Sequence, residues 1–167
     1  MVMKKPKLTI ELVPKTCFYS NVRSNLPDKE WDRLRKISYE QANNICEICG
    51  DDGKNQGYRH AVECHEIWEY DDKTKTQILE GLISLCPRCH QVKHFGRTSA
   101  IGKQAEAFKH MEKVNNWTHK QCIEHAAESF DVWLERSKHK WKLDIKVLNE
   151  KYDVPKKLIT EGQKKRK

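Results

Sequence analysis

Two pairs of cysteines, each with the spacing Cys-x-x-Cys, most strongly constrain how this chain can fold. Cys46 and Cys49 form the first pair, and Cys86 and Cys89 form the second. Zinc prefers four tetrahedral ligands, and each CxxC loop can place two thiolates on one side of the ion. Because a shell of four thiolates has no open position, the spacing predicts a structural zinc site that joins two distant parts of the chain. The alternative, a redox-active pair, lacks the βαβ context in which such pairs occur.

The composition indicates that a bound metal would help this chain to fold. Charged residues make up 34% of the 167 residues and hydrophobic residues 37%, so we expect a modest core to which bound metal adds folding free energy. The N-terminus lacks the apolar segment of a signal peptide, and no apolar run approaches the roughly 20 residues of a membrane span. We therefore expect a cytoplasmic, intracellular protein in a reducing compartment, where paired cysteines more often bind metal than form disulfides.

The net charge points to a class of partner. The formal charge is +8 at pH 7 and the sequence pI is about 9.1, a balance that fits a polyanion such as nucleic acid. The alternative is a basic surface that serves no particular partner. The charge alone does not distinguish the two.

The patterning predicts an α+β chain in five segments. Alternating residues predict a strand at 8–12 and another at about 141–147, which we expect to pair and bring the termini together. Trp31, Leu34 and Ile37 predict an amphipathic helix from Asp28. The predicted segments are 1–27 (basic arm and strand), 28–97 (zinc-stapled module), 98–140 (helical pair), 141–160 (C-terminal strand and turn) and 161–167 (basic tail).

A predicted hairpin lies between the two cysteine pairs. Residues 61–68 and 77–85 are strand candidates, and the polar residues at 71–74 between them are typical of a turn. The second strand runs directly into Cys86, and a helix is expected after it. The predicted order is therefore hairpin, cysteine knuckle, helix.

Four further residues, which are not among the predicted zinc ligands, are able to bind metal or to act as acids or bases. His90 and His94 are four residues apart and share one face of the predicted helix, and His65 lies on the predicted strand beside it, next to Glu66. Three imidazoles at His65, His90 and His94 can hold a divalent ion, and their softness favours Zn²⁺ or Ni²⁺ over Mg²⁺.

At these residues the chain resembles the zinc-stapled HNH endonucleases. The motif runs from Cys46-x2-Cys49 through Glu63-Cys-His65-Glu-Ile67 to Leu82-Ile-Ser-Leu-Cys86-x2-Cys89-His90-x2-Lys93-His94. The resemblance covers about residues 31–96 and implies a ββα-metal fold that holds one divalent ion, Mg²⁺, Mn²⁺, Ni²⁺ or Zn²⁺. It implies a metal-dependent endonuclease that hydrolyses phosphodiester bonds in nucleic acid by water attack at a metal-bound phosphate, with DNA as the expected substrate.

The resemblance assigns the catalytic roles to His65, Glu66 and His90 and leaves two registers open. If Ile67 sets the register, His65 is a metal ligand and Glu66 is the general base. If His65 is the base, Cys64 occupies the ligand position. Gly81 stands where the family carries an asparagine that orients the base or its loop.

Basic residues around the motif are candidates for nucleic-acid contacts. Arg88, Lys93 and Arg97 are predicted to form a cationic rim for the phosphate backbone, although ordinary solvation accounts for them equally well. His60 belongs either to the site or to the far face of its strand, and we expect the far face. The alternative functions are a catalytically degenerate, zinc-stabilised module that binds nucleic acid or protein, and an accessory factor that acts through its helices.

Overall fold

The computed structural model describes residues 5–164, with side chains described as far as residue 160. This part of the chain is α+β, and its three strands form one sheet in the order β1-β2-β3. The strands are β1 (Glu63–Asp71), β2 (Thr76–Leu85) and β3 (Lys142–Asp144). The helices are α1 (Val22–Asn25), α2 (Asp28–Gln41), α3 (Pro87–Lys93), α4 (Phe95–Ala100), α5 (Gln104–Asn115), α6 (His119–Arg136), α7 (Val147–Glu150) and α8 (Lys156–Lys164).

The hairpin of β1 and β2 is the centre of the fold, as predicted. The two strands are antiparallel, and His65 lies opposite Ile83. At the turn, the Asp71 carboxylate accepts hydrogen bonds from the backbone N–H groups of Lys73 and Thr74 at 2.9 and 3.1 Å, and Lys75 adopts a positive φ of 53°. The turn therefore closes where the polar residues predict it.

The predicted pairing of the two terminal strands is wrong. Strand β3 is short and pairs in parallel with residues 76–78 of β2. Residues 8–12 form no strand; Leu8 and Ile10 alternate with polar residues because they are buried among helices, where Leu8 is 0% exposed and Ile10 is 6% exposed. The period of two correctly indicates which side of the segment is buried, but that side packs against helices and not against a sheet.

Helix α3 begins at the second cysteine pair. Cys86 is the N-cap residue, and its sulfur accepts a hydrogen bond from the Cys89 backbone N–H at 3.4 Å. Pro87 occupies the first turn, where its missing N–H costs no helical hydrogen bond. The same residues that present two thiolates therefore also start the helix, which sets His90 and His94 in fixed positions relative to the cysteines.

The predicted helical pair is present as α5 and α6. Asn116 separates them with a positive φ of 54°, and Thr118 caps α6 in a reciprocal capping box with Gln121. Helix α6 ends at Arg136, slightly before the predicted end at residue 139. None of the helices in the described range is long and apolar enough to cross a membrane.

The hairpin separates two hydrophobic clusters. Leu85 and Ile83 face the inner cluster, built with α3, α5 and α6, whereas Leu79 and Leu82 face the outer cluster, built with α1, α2 and the C-terminal segment. Fully burying one such side chain contributes about 1.5–3 kcal/mol, so both faces help to hold the hairpin. The buried inner-cluster residues are Leu8, Ile10, Cys46, Leu85, Cys86, Cys89, Val92, Phe95, Ala107, Phe108, Met111, Cys122 and Ala126.

Parts of the predicted terminal segments lie outside the described range. These are residues 1–4 of the basic arm and residues 165–167 of the basic tail. The first four residues of the predicted tail belong to helix α8, which ends at Lys164.

Candidate metal centres

The four cysteines meet in one cluster, as the spacing predicts. The sulfur atoms of Cys46, Cys49, Cys86 and Cys89 all lie within 4.8 Å of one another. The Cys49 and Cys86 sulfurs are 3.6 Å apart. Thiolates on a tetrahedron with zinc–sulfur bonds of about 2.3 Å are roughly 3.8 Å apart, so the cluster has the dimensions of a four-thiolate metal site.

Backbone hydrogen bonds fix the first cysteine loop to the hairpin. The Gly50 N–H donates to the Cys46 carbonyl at 2.9 Å, and Gly50 takes a positive φ of 75°, which glycine adopts without strain. The Glu47 N–H donates to the Ser84 carbonyl at 3.0 Å, and the Glu47 carboxylate accepts from the Ser84 N–H at 2.7 Å. This reciprocal pair brings the first loop beside the end of β2, where the second loop begins.

Hydrogen bonds within the cluster shift the thiol pKa values in opposite directions, raising those of Cys49 and Cys89 and lowering those of Cys46 and Cys86. Hydrogen bonding with Cys49 lowers the pKa of Cys46 to about 6, and hydrogen bonding with Cys46 and Cys49 lowers the pKa of Cys86. His110 of α5 places its Nε2 atom 3.1 Å from the Cys89 sulfur, so a second element supports the cluster. The four sulfur donors and the size of the cluster fit a structural metal ion such as zinc.

The three predicted histidine ligands form a second group on the inner face of the hairpin. One ring nitrogen from each of His65, His90 and His94 lies within 4.8 Å of the others. The ring centroids are 5.3 Å apart for His65 and His90, 5.1 Å for His65 and His94, and 4.6 Å for His90 and His94. His65 is buried, His90 is half-buried and His94 is exposed, so the group has one side toward solvent. This group can hold a metal ion.

Two carboxylates orient the imidazoles from behind. Glu11 Oε2 lies 2.9 Å from His65 Nε2, and Glu63 Oε2 lies 2.5 Å from His90 Nδ1. Histidines that bind metals almost always donate their other ring N–H to such a partner, which fixes the tautomer and the ring orientation. Within residues 5–160, no other side chain or backbone group bonds to His65 Nδ1 or His90 Nε2, so these nitrogens keep a lone pair for an ion.

The electrostatics disfavour protonation of His65 and His94 and favour the charged form of Glu11 and Glu63. Burial lowers the pKa of His65 below its ordinary value, and desolvation together with the neighbouring His90 and His65 lowers the pKa of His94, although part of that residue is exposed. The hydrogen bond from His90 lowers the pKa of Glu63. Burial raises the pKa of Glu11, but the hydrogen bond from His65 and the charge of Lys93 outweigh burial and lower it. Neutral imidazole is the form that binds metal.

Glu66 is not brought to the histidines. Successive side chains of a strand point to opposite faces, and Glu66 lies on the outer face of β1. Its Oε1 atom accepts a hydrogen bond from the Val22 N–H at 3.0 Å, and its Oε2 atom accepts from Trp68 Nε1 at 3.1 Å. Burial raises its pKa to about 7. In this structure Glu66 holds the start of α1, and the predicted role as general base has no geometric support.

The same alternation removes Cys64 from the candidate ligands. Cys64 is next to His65 and shares the outer face with Glu66, and burial raises the pKa of its thiol to about 12. The register in which His65 is the base requires Cys64 as a metal ligand, and the position of Cys64 on the outer face disfavours it. The three-histidine arrangement is the one that the geometry favours.

Of the three predicted rim residues, two lie on the surface and one does not. Arg88, in the first turn of α3, and Arg97, in α4, are exposed, and Arg97 is close enough to His94 to disfavour its protonation. Lys93 is 6% exposed, and its ammonium group donates to Glu11 at 2.5 Å and to Thr9 Oγ1 at 3.1 Å. Lys93 therefore contacts the N-terminal segment, and the structure offers no support for its predicted contact with phosphate.

The structure also gives the surroundings of His60 and Gly81. His60 Nε2 lies 2.8 Å from Glu63 Oε1, so His60 is linked to the histidine group and does not lie on the far face. At Gly81, a side chain would meet the Tyr152 hydroxyl at 3.0 Å, and that hydroxyl accepts a hydrogen bond from the Leu82 N–H at 2.8 Å. Tyr152 thus occupies the space next to the position where the HNH family carries asparagine.

Sequence reasoning missed the carboxylates that orient the histidines. Glu63 had a usable signal, since residues two apart on a strand share a face and Glu63 precedes His65 by two. Glu11 had none, because it is remote from His65 in sequence and reaches it only through the tertiary fold. Searches against protein-family models, curated proteins and solved structures found no match to this chain.

Proposed function

We propose that this protein is a metal-dependent endonuclease of the HNH type that hydrolyses phosphodiester bonds in nucleic acid, with DNA as the first substrate to test. The observation that carries the proposal is the convergence of His65, His90 and His94 on one face of a hairpin–helix unit, beside a four-cysteine cluster. A divalent ion at such a group supplies Lewis-acid polarisation of a phosphoryl oxygen.

The chain's own residues support that chemistry in three ways. Glu11 and Glu63 orient the His65 and His90 rings, and the solvent-facing side at His94 leaves an approach for a large substrate. The lowered pKa values of His65 and His94 favour the neutral imidazole, which is the form that offers a lone pair to the ion. The exposed guanidinium groups of Arg88 and Arg97 and the net charge of +8 favour a phosphate backbone at this surface.

The test is cleavage of plasmid DNA and of RNA by the full chain, with Mg²⁺, Mn²⁺, Ni²⁺ or Zn²⁺ added in turn. We expect His65→Ala and His90→Ala to reduce cleavage by at least about 100-fold, because the ion supplies several kcal/mol of transition-state stabilisation. The matched control is His119→Ala, since His119 is largely exposed and pairs with Glu112 away from the site. Absence of cleavage with every ion, or equal cleavage by the variants at His65 and His90, would refute the proposal.

A second candidate is a zinc-stabilised module that binds nucleic acid or protein without cleaving. The carboxylates near the histidines favour it, because Glu11 is engaged with His65 and Lys93 and Glu63 is engaged with His60 and His90. No carboxylate in the described part of the site is therefore free to act as a base. Fluorescence anisotropy with labelled DNA separates the candidates: binding that weakens with salt but is followed by no cleavage with any ion supports the module.

A further inference from the structure

The segment from Lys7 to Val13, which we call the N-terminal strap, is held by the helical pair through side chains. Asn115, at the end of α5, forms three hydrogen bonds to it: its Oδ1 atom accepts from the N–H groups of Lys7 and Leu8 at 3.0 and 2.9 Å, and its Nδ2 atom donates to the Leu8 carbonyl at 2.7 Å. One asparagine thus pairs the polar backbone that a strand partner would otherwise satisfy.

Helix α6 anchors the rest of the strap. His125 Nε2 accepts a hydrogen bond from the Ile10 N–H at 3.0 Å, and Trp133 Nε1 donates to the Val13 carbonyl at 2.9 Å. Leu8 and Ile10 are buried in the inner cluster between these anchors. Both the backbone and the apolar side chains of the strap are therefore fixed by α5 and α6.

Between the His125 and Trp133 anchors, the strap presents Glu11 to the histidine group. The Glu11 N–H donates to the Lys93 carbonyl at 3.1 Å, its Oε1 atom accepts from the Lys93 ammonium at 2.5 Å, and its Oε2 atom accepts from His65 Nε2 at 2.9 Å. An ionised carboxylate only accepts hydrogen bonds, so the His65 proton resides on Nε2 and the lone pair on Nδ1. Lys93 prevents the carboxylate from turning away.

We propose that Glu11 is the positioning residue of the three-histidine metal site, and that the helical pair serves this site by holding the strap that carries Glu11. The inference rests on the metal site invoked for the proposed function, but it does not depend on cleavage. It gives α5 and α6 a role in metal binding although Asn115 and His125 contact none of the three histidines. Loss of such an outer partner typically weakens metal affinity by about 10- to 100-fold.

The experiment measures Co²⁺ binding to the full chain with zinc held at the cysteines. Co²⁺ binds less tightly than Zn²⁺, so it leaves the cysteine site occupied while its visible spectrum reports the ligands at the histidine site. We expect Glu11→Gln to weaken Co²⁺ binding by about 10- to 100-fold and to alter the spectrum, and Glu11→Asp to recover part of the affinity. The control is Glu69→Gln, which removes an exposed carboxylate of β1 away from the histidines.

A second pair of variants tests the strap itself. Asn115→Ala removes three hydrogen bonds to the strap and leaves the three histidines unchanged. We expect this variant to bind Co²⁺ more weakly and to retain one zinc per chain. Lys109→Ala, at an exposed position of the same helix, is the control and should bind Co²⁺ as the unaltered chain does. Equal affinity for Asn115→Ala and the unaltered chain would remove the helical pair from the proposal.

Further variants distinguish the effect of Glu11 on the metal site from effects on folding and on nucleic-acid cleavage. Glu11→Gln leaves the buried Lys93 without its carboxylate and could therefore disturb the fold. If the single variant loses zinc or its near-ultraviolet circular dichroism, Co²⁺ affinity is measured instead in the double variant Glu11→Gln/Lys93→Met, which removes both charges. Unchanged Co²⁺ affinity in the folded variants, or no Co²⁺ at the histidines of the unaltered chain, overturns the inference. Co²⁺ binding that depends on Glu11 in a protein that cleaves no nucleic acid upholds it and refutes only the proposed function.

Discussion

Replacing Glu66 with glutamine tests most directly whether this carboxylate is structural, because the structure predicts a pH-dependent change in stability. Burial raises the pKa of Glu66 from 4.5 to about 7. The folded protein therefore holds this proton more tightly than the unfolded chain does. The stability that Glu66 contributes is fully present below about pH 4.5 and is lost as the pH rises through about 7.

The size of the effect follows from the pKa shift. A shift of about 2.5 units corresponds to about 3 kcal/mol, at about 1.4 kcal/mol per unit. About 2 kcal/mol of this loss falls between about pH 5.5 and about pH 8.5. Glutamine has no charge to bury, but its amide group cannot accept from both Val22 N–H and Trp68 Nε1–H, and one buried donor left unpaired costs about 1–3 kcal/mol at every pH.

The assay is urea unfolding of the unaltered chain and of Glu66→Gln, both saturated with zinc, across that pH range. We expect the free energy of unfolding of the variant, relative to the unaltered chain, to rise by about 2 kcal/mol from about pH 5.5 to about pH 8.5. We also expect the variant to retain Co²⁺ binding at the histidines. A difference in stability that does not change with pH would refute the buried, α1-capping role of Glu66, as would loss of Co²⁺ binding from a folded variant.

Three further outcomes are expected from other parts of the structure. Cys86→Ser should lower bound zinc to well below about one ion per chain, whereas Cys122→Ser, at a buried position outside the cluster, should leave zinc content unchanged. Tyr152→Phe removes the acceptor for the Leu82 N–H and should lower the free energy of unfolding by about 1 kcal/mol in urea titrations, while Tyr19→Phe, at an 80% exposed position, should not. Removing zinc with a chelator should lower the melting temperature cooperatively, and readdition should restore it; an unchanged melting curve would contradict a structural metal.

The histidine group depends on the cysteine cluster for its geometry. Cys86 is the N-cap of α3, and His90 and His94 lie on that helix and at its end. One group of candidate ligands therefore sets the position of two members of the other. The first cysteine loop is in turn tied to β2 through Glu47 and Ser84. We therefore expect the cysteine variant to lose Co²⁺ binding at the histidines as well.

Local patterns in the sequence predicted the hairpin, the helix after the second cysteine pair and the two groups of residues that could hold metal. The hairpin and the helix follow from residues close together in the chain, and the cysteine group follows from two CxxC spacings. The histidine group follows from the helical spacing of His90 and His94 and from the strand that places His65 beside them. The turn at Asp71 and the start of α3 at Cys86–Pro87 follow from the residues at those positions alone.

Tertiary structure decided everything that depends on which surface meets which. Leu8 and Ile10 alternate as in a strand, yet they are buried among helices, and the edge of β2 accepts Lys142–Asp144 instead. Lys93 follows the motif of a phosphate contact but is buried against Glu11. The period of a sequence shows which side of a segment is buried, but the segment that packs on that side depends on the packing of the whole chain. This packing places Glu11 beside His65. It places Glu66 on the other face of β1, beside Val22.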